Sequence, residues 1–400
     1  MDGKVTKLSR TVDAVLAAFL IGLILTFGIM TVYPNFKTLF NSVRLMSRLE
    51  QFLPDDYNAL DLLSARINSF EATFGARLWE QDRLGKLNAG IQYALGKNMI
   101  TTGDANMVTL KTGDLYDIQM PADIDGQLDE ILRFAASLDV PFTYVYEHAT
   151  NYGDDRLTGG YAQLDWGEDL GDQIVSTLRN AGVDVLDSRA ALEGLPASKL
   201  VLRTDQHWTP YAALCMTRVL AEDLGLDADL LDPALFESET FPEKFLGKYG
   251  QRIGAARVKP DDYTVYWPTY GTNISRHTVR HGGAEEDVAG SFRDAAIKWD
   301  NLAGEGFNTV AYKAYGLTET YEHFHNDAAP DVTILLYKDS YGSPIGAFLS
   351  LVARDVYLVD MRQTDKDALE FVEAIKPDRI VMAYSRQMVI LHEYRLFHDQ

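Results

Sequence analysis

Val332-Thr333-Ile334-Leu335-Leu336-Tyr337-Lys338-Asp339-Ser340-Tyr341-Gly342-Ser343-Pro344 decides the fold of this chain. The first six residues form an unbroken apolar run of the length of a strand buried on both faces. Ser343-Pro344 opens a helix that continues through Phe348 and Leu351. Ser340 therefore falls on a strand-to-helix turn, at the carboxyl end of a strand. Open α/β sheets collect their ligands at such ends.

Downstream, Val356-Tyr357-Leu358-Val359 reads as a strand. Thr364 is expected to cap a helix reaching Ile375, with Asp367 completing a capping-box-like pattern. Ile380-Val381-Met382-Ala383 is the next strand. Upstream, the alternation begins with a helix over 124–138 and a strand at Pro141-Phe142-Thr143-Tyr144-Val145-Tyr146. A helix over 169–180 closes at Gly182, and Val183-Asp184-Val185-Leu186 is again a strand. This rhythm predicts a three-layer, doubly wound, mostly parallel α/β sheet. Residues 242–308 break it. Tyr263-Thr264-Val265-Tyr266-Trp267 alternates like an antiparallel strand, so a β-containing insertion over one sheet edge is expected there.

Arg203-Thr204-Asp205-Gln206-His207-Trp208-Thr209-Pro210 is the second telling stretch. Thr209 suits an N-cap and Pro210 the first helical position, so a helix should start here and stop near Gly225. Asp205 and His207 share a face if the segment is extended. A serine hydroxyl is a weak nucleophile until a base takes its proton. His207 is the candidate base for Ser340, with Asp205 orienting and stabilising the imidazole. The backbone N–H groups of Ser340 and those near Gly342, at a positive helix end, are candidate donors to an oxyanion. Asp339 is expected to hold the Ser340 turn by hydrogen bonds to backbone. Tyr341 and Trp208 either line a sugar groove or pack beside the site. Arg252 and Arg362 either bind an anionic group or form structural ion pairs. His323-Phe324-His325 is either a metal pair or a loop; with no paired carboxylate motif the loop is the expectation, and no metal and no cofactor are expected.

The chain has 400 residues and a formal net charge of -21. That charge argues against a nucleic-acid partner, whose affinity comes from Lys and Arg on phosphates. Its main effect is solubility. Lys4, Lys7 and Arg10 precede an apolar run over 14–33. Twenty helical residues span about 30 Å, roughly the hydrocarbon thickness of a bilayer. Basic residues on the N-terminal flank predict a cytoplasmic start and an exported body. A cleaved signal peptide is the rival reading. The run is long for a signal core, and Thr31-Val32-Tyr33-Pro34-Asn35-Phe36 carries no small-x-small site. The expectation is a single-pass cell-membrane anchor over 1–33, a helical stem or cap over 34–100 and an extracytoplasmic catalytic domain over 101–400. Cys215 is the only cysteine, so no intramolecular disulfide forms, and the residue is expected to be buried in its helix.

The paired motifs resemble the DHHW family, which is related to the SGNH-hydrolase-like domains of alginate O-acetyltransferases. Asp205-Gln206-His207-Trp208-Thr209 is similar to the family's Asp-x-His-Trp-Thr block, with Gln206 where a His is usual. Lys338-Asp339-Ser340-Tyr341-Gly342 resembles its nucleophile turn. Phe245-Leu246-Gly247-Lys248-Tyr249-Gly250-Gln251-Arg252-Ile253-Gly254 is similar to its glycine-containing loop, and Val359-Asp360-Met361-Arg362 to its Asp-x-Arg. The order, Asp-x-His before Ser, is also the family's. The resemblance implies Ser340 as nucleophile, His207 as base and Asp205 as orienter. The Gly and Asn oxyanion blocks of SGNH enzymes have no clear counterpart; Tyr315-Gly316 and Asn326 are the stand-ins. The implied function is O-acyl transfer, with acetyl the expected group, to a cell-surface or secreted polysaccharide through an acyl-enzyme. A membrane-bound O-acyltransferase is the implied partner. The alternatives are a carbohydrate acetyl esterase and a non-catalytic polysaccharide-binding or assembly protein.

Overall fold

The strand expected before Ser340 spans Thr333–Lys338 and lies inside an eight-stranded sheet in this computed structural model. The residues described are 81–397, without 96, 98, 103–104, 111–112, 148–160, 255–256, 281–282, 317–318 and 393, together with some helical positions between 18 and 33. The chain divides into two compact units, 1–88 and 89–400. Among the described residues no helix is long and apolar enough to cross a membrane. Part of the anchor expected over 14–33 and most of the stem expected over 34–100 fall outside the described residues; the described positions between 18 and 33 are helical. A helix at Gln81–Ala94 is described.

Three short strands, β1 (Met99–Thr102), β2 (Ala105–Thr109) and β3 (Leu115–Asp117), form an antiparallel sheet. The main sheet contains β4 (Phe142–Glu147), β5 (Asp184–Asp187), β8 (Ile274–Arg280), β9 (Glu285–Gly290), β10 (Glu319–His325), β11 (Thr333–Lys338), β12 (Asp355–Val359) and β13 (Arg379–Ser385). β6 (Phe236–Phe245) and β7 (Asp261–Pro268) pair separately. The order in the main sheet is β5-β4-β13-β11-β12-β10-β8-β9. The first five are parallel, as the rhythm predicted. β10, β8 and β9 add antiparallel to the β12 edge, so the sheet is mixed. Antiparallel neighbours need only short connections, unlike the helical crossovers of the parallel part.

The apolar run of β11 follows from burial on both faces. Ile334 and Leu336 face one core and Leu335 and Tyr337 the other, all 0% exposed. Val381 and Ala383 alternate with Ile380, Met382 and Tyr384 in the same way on β13. The first core is closed by helices Pro210–Asp223 and Gly342–Leu349, through Leu214, Leu220, Ile345 and Phe348. The second is closed by Asp125–Ala136, Gly167–Asn180 and Ala368–Ile375, through Ile131, Phe134, Ile174 and Ala368. Each such buried large side chain contributes about 1.5–3 kcal/mol of transfer free energy.

Three local expectations are corrected. Thr364 does not cap its helix; its hydroxyl accepts from Lys366 N–H. Asp367 is the N-cap, and its side chain and that of Glu370 close a reciprocal capping box. His323 and His325 lie on strand β10, not in a loop, because Tyr321, His323 and His325 pair across to β12. Cys215 is half-buried rather than buried. Thr209 and Pro210 start their helix as expected, with the Thr209 hydroxyl accepting from Ala212 N–H.

Candidate active site

β4, β11, β12 and β13 all end at one edge of the sheet. Ser340 stands there, half-buried, on the turn between β11 and helix Gly342–Leu349. Asp339 fixes the turn as expected. Its Oδ1 accepts from Tyr341 N–H at 2.8 Å and its Oδ2 from Ser385 N–H at 2.9 Å. The turn is tight at Gly342, where a Cβ would stand 2.8 Å from that of Lys338.

The Asp205 segment crosses to this edge. His207 Nε2 lies 2.7 Å from Ser340 Oγ. His207 Nδ1 is hydrogen-bonded to Asp205 Oδ1. With Asp205 accepting from Nδ1–H, Nε2 is left as an acceptor for the serine hydroxyl. Asp205 Oδ2 accepts from Lys248 N–H at 2.6 Å, and Oδ1 from His207 N–H at 3.2 Å. Burial raises the Asp205 carboxyl pKa. The charge of His207, its ring hydrogen bond and the two backbone donors outweigh this, so the net shift is downward and Asp205 is held ionised. The three side chains first singled out in the sequence are thus in hydrogen-bonded series.

The residues around them hold that series in place. Asp261, at the start of β7, accepts from Arg203 and Thr204 N–H, each at 2.9 Å. Thr204 Oγ1 accepts from Gly247 N–H, and Leu115 N–H donates to Arg203 O. A Cβ on Gly247 would meet Asp205 Oδ2 at 2.5 Å, so only glycine lets the 247–248 backbone reach the carboxylate. Gly247, Lys248 and Asp261 of the 242–308 stretch therefore support the acid and its segment, while β8 and β9 extend the main sheet.

Tyr312 is, with Asp261, a residue that the sequence did not single out. Its ring stacks on His207 with centroids 3.9 Å apart and an interplanar angle of 25°. Its hydroxyl donates to the Ser340 carbonyl. Burial raises its pKa well above the ordinary phenol value, so it is a neutral donor. It sits in a 3₁₀ turn, Ala311–Tyr315, within a region lacking any periodic pattern, so nothing in the sequence marked it.

The remaining candidates separate clearly. Trp208 and Tyr341 are each 1% exposed, so they pack beside the site and present no face to a sugar. Trp208 Nε1–H donates to Tyr341 O, and the Tyr341 hydroxyl donates to Gln206 O. Arg362 forms a two-pronged pair with Asp360, at 2.9 and 2.7 Å, the structural role of the two considered. Arg252 is half-buried on helix Lys248–Ile253. Asn326 is corrected. It follows β10 at the opposite end of the sheet, where its amide donates to Ser350 O at 2.8 Å, so it cannot serve an oxyanion at Ser340. The Tyr315 hydroxyl is likewise engaged with Tyr266 N–H and O.

Beneath the turn lie four buried charged side chains, Glu147, Lys338, Asp339 and Asp360. Among the described residues no N–H or hydroxyl donor reaches either carboxylate oxygen of Glu147, whose polar neighbour there is the Asp339 carboxylate. Burial, and then the charge of Asp339, raise its pKa well above the usual carboxylate range.

Residues 154–305 match the profile of the SGNH hydrolase-like domain of the acetyltransferase AlgX. That span contains Asp205 and His207; Ser340 lies beyond it. A DHHW family protein from Eubacterium siraeum superposes with a TM-score of 0.57 at 17% identity, over 73% of this chain and 94% of that one. Bacillus cereus PatB1 superposes with a TM-score of 0.59 at 14% identity, over 74% of this chain and all of that one, 100%. No curated protein sequence matches the chain. The fold is thus an SGNH-like α/β fold shared with these two structures, and the chain carries the family resemblance first read from Asp205–Thr209 and Lys338–Gly342: that of the DHHW proteins and the SGNH hydrolase-like domain of acetyltransferase AlgX.

Proposed function

We propose that the chain is a serine-dependent O-acyltransferase that moves an acyl group, acetyl in the simplest case, onto a hydroxyl of a cell-surface or secreted polysaccharide. One observation carries this reading: the series Asp205–His207–Ser340, with His207 Nε2 at 2.7 Å from Ser340 Oγ. The family of the matched profile, an acetyltransferase family, supports the reaction class.

In the first half-reaction Ser340 Oγ attacks the acyl carbonyl while its proton passes to His207 Nε2. Ionised Asp205 stabilises the imidazolium. The negative charge on the former carbonyl oxygen meets the N–H groups of Ser340 and Gly342. The tetrahedral intermediate collapses, the donor's leaving group takes the proton from His207, and Ser340 is left as an ester. In the second half, His207 takes the proton of a sugar hydroxyl, which attacks the ester. The new sugar ester departs and the proton returns to Ser340.

We place the catalytic unit outside the cytoplasm, anchored through 14–33, with a membrane-bound O-acyltransferase delivering the acyl group. Lys4, Lys7 and Arg10 ahead of the apolar run support this arrangement.

The test is acyl-enzyme formation from p-nitrophenyl acetate, read by mass spectrometry. An acetyl adduct on Ser340, absent in Ser340→Ala and strongly slowed in His207→Ala, is the expected result. Oligosaccharide acceptors then distinguish transfer from hydrolysis by the product formed. An adduct elsewhere, or none with a range of acyl esters, would leave the scaffold alternative.

A further inference from the structure

Among the described residues, one set of three metal-type ligands brings its donor atoms within 4.8 Å of one another: His323, His325 and Asp355. His323 Nε2 lies 2.7 Å and His325 Nδ1 2.8 Å from the same oxygen, Asp355 Oδ1. All three side chains stand on one face of the sheet. His323 and His325 are two apart on β10, and Asp355 pairs directly with His325 on β12. The set lies where the parallel strands begin, opposite the Ser340 edge, since Asp355 also pairs with Thr333, the first residue of β11.

Both imidazoles are held in orientation by a further contact. The Tyr357 ring stacks flat on His323, with centroids 4.0 Å apart and planes within 5°. The other ring nitrogen of His325 lies 3.1 Å from Asp327 Oδ1. A carboxylate on the far nitrogen is the usual partner of a metal-bound imidazole, because it fixes the tautomer that turns a lone pair toward the ion. With Nε2–H given to Asp327, His325 Nδ1 and Asp355 Oδ1 both present lone pairs across 2.8 Å. Only a proton or a cation between them makes that separation favourable.

We propose that His323, His325 and Asp355 form a binding site for a zinc-like divalent transition-metal ion. Two imidazoles and one carboxylate suit Zn²⁺ and its neighbours, whereas Mg²⁺ and Ca²⁺ prefer all-oxygen shells. Zinc bonds of 2.0–2.1 Å set tetrahedral ligands about 3.3 Å apart. Each imidazole nitrogen needs to draw back from Asp355 Oδ1 by only about half an ångström to reach that spacing. The side chains keep 25%, 37% and 21% exposure, so the fourth position faces solvent. The site takes an exchangeable ion, and the bound ion ties β10 to β12.

The full chain is stripped with a chelator and titrated with Co²⁺, then Zn²⁺, following the visible bands of tetrahedral cobalt and the heat of binding. One ion per chain is expected. His325→Ala and Asp355→Asn each weaken binding by more than tenfold, and Asp327→Asn by about tenfold. Ser340→Ala and His207→Ala bind as the unaltered chain does, which separates this site from the Asp205–His207–Ser340 edge. The partial exposure of all three ligands lets the variants fold, which circular dichroism checks. Uptake no greater than that of a His323→Ala/His325→Ala double variant, or uptake unaltered by Asp355→Asn, overturns the proposal.

Discussion

Gly247 and Asp205 are in such close contact that a Cβ on Gly247 would lie 2.3 Å from the Cβ of Asp205. The backbone N–H of the next residue, Lys248, depends on this approach to reach the carboxylate. Gly247→Ala is therefore expected to push the 247–248 backbone away from Asp205. A displacement of about 1 Å at a catalytic group can cost 10²-fold in rate. Turnover of p-nitrophenyl acetate should fall by roughly that factor. An unchanged kcat/KM would show that Asp205 does not rely on this contact.

Asp205→Asn keeps the shape of the side chain and removes its charge. On the proposed mechanism the amide cannot stabilise a protonated His207, and turnover is expected to fall by about 10⁴-fold. The folded Asp205 pKa is lowered, so its stabilising contribution is present above the ordinary carboxylate value and is lost as pH falls through the lower folded value. Acid unfolding curves should thus diverge between the two proteins above about pH 4 and converge below it. Parallel curves would count against a charged Asp205.

Tyr312 acts on the site in two separable ways. Tyr312→Phe removes the hydrogen bond to the Ser340 carbonyl and keeps the stacked ring. One such bond is worth about 1 kcal/mol, so a loss of less than tenfold is expected. Tyr312→Ala also removes the surface against which His207 rests and should cost more than tenfold. Equal effects of the two variants on kcat would refute the division.

Glu147 gives a stability prediction of the opposite sign to Asp205. Its folded pKa is raised, so its stabilising contribution is complete below the ordinary glutamate value and is lost as pH rises toward the folded value. Over that window the loss is about 1.4 kcal/mol per pH unit. Glu147→Gln mimics the protonated form and should melt higher than the unaltered chain at pH 8, with little difference at pH 4. Thermal denaturation across that range checks this; a less stable Gln variant at pH 8 would contradict it.

The parallel half of the sheet was legible because both its faces are buried. Runs such as Ile334-Leu335-Leu336-Tyr337 leave no polar register to confuse the reading. Asp205, His207 and Ser340 were legible because two short motifs carry them. The antiparallel edge was less so. His323 and His325 alternate on a half-exposed strand, where polar side chains imitate a loop. Their carboxylate, Asp355, is 30 residues away and becomes a neighbour only through strand pairing. Tyr312 and Asp261 escaped for the same reason: each acts through a tertiary approach, to Ser340 and to the Arg203–Thr204 backbone, that no spacing along the chain encodes, and Gly247 was legible only as part of a glycine-containing loop.

The placement of β13 between β4 and β11 has a consequence for biosynthesis. Tyr144 and Tyr384 sit on neighbouring strands yet are 240 residues apart in the chain. At 5–20 residues per second, a ribosome needs roughly 12–50 s to go from one to the other. For all that time the Tyr144 strand has no neighbour on its β13 side, and the strand leading to Ser340 cannot join it. The nascent chain must keep these apolar edges from pairing elsewhere, and the two halves of the sheet meet only when the last strand arrives.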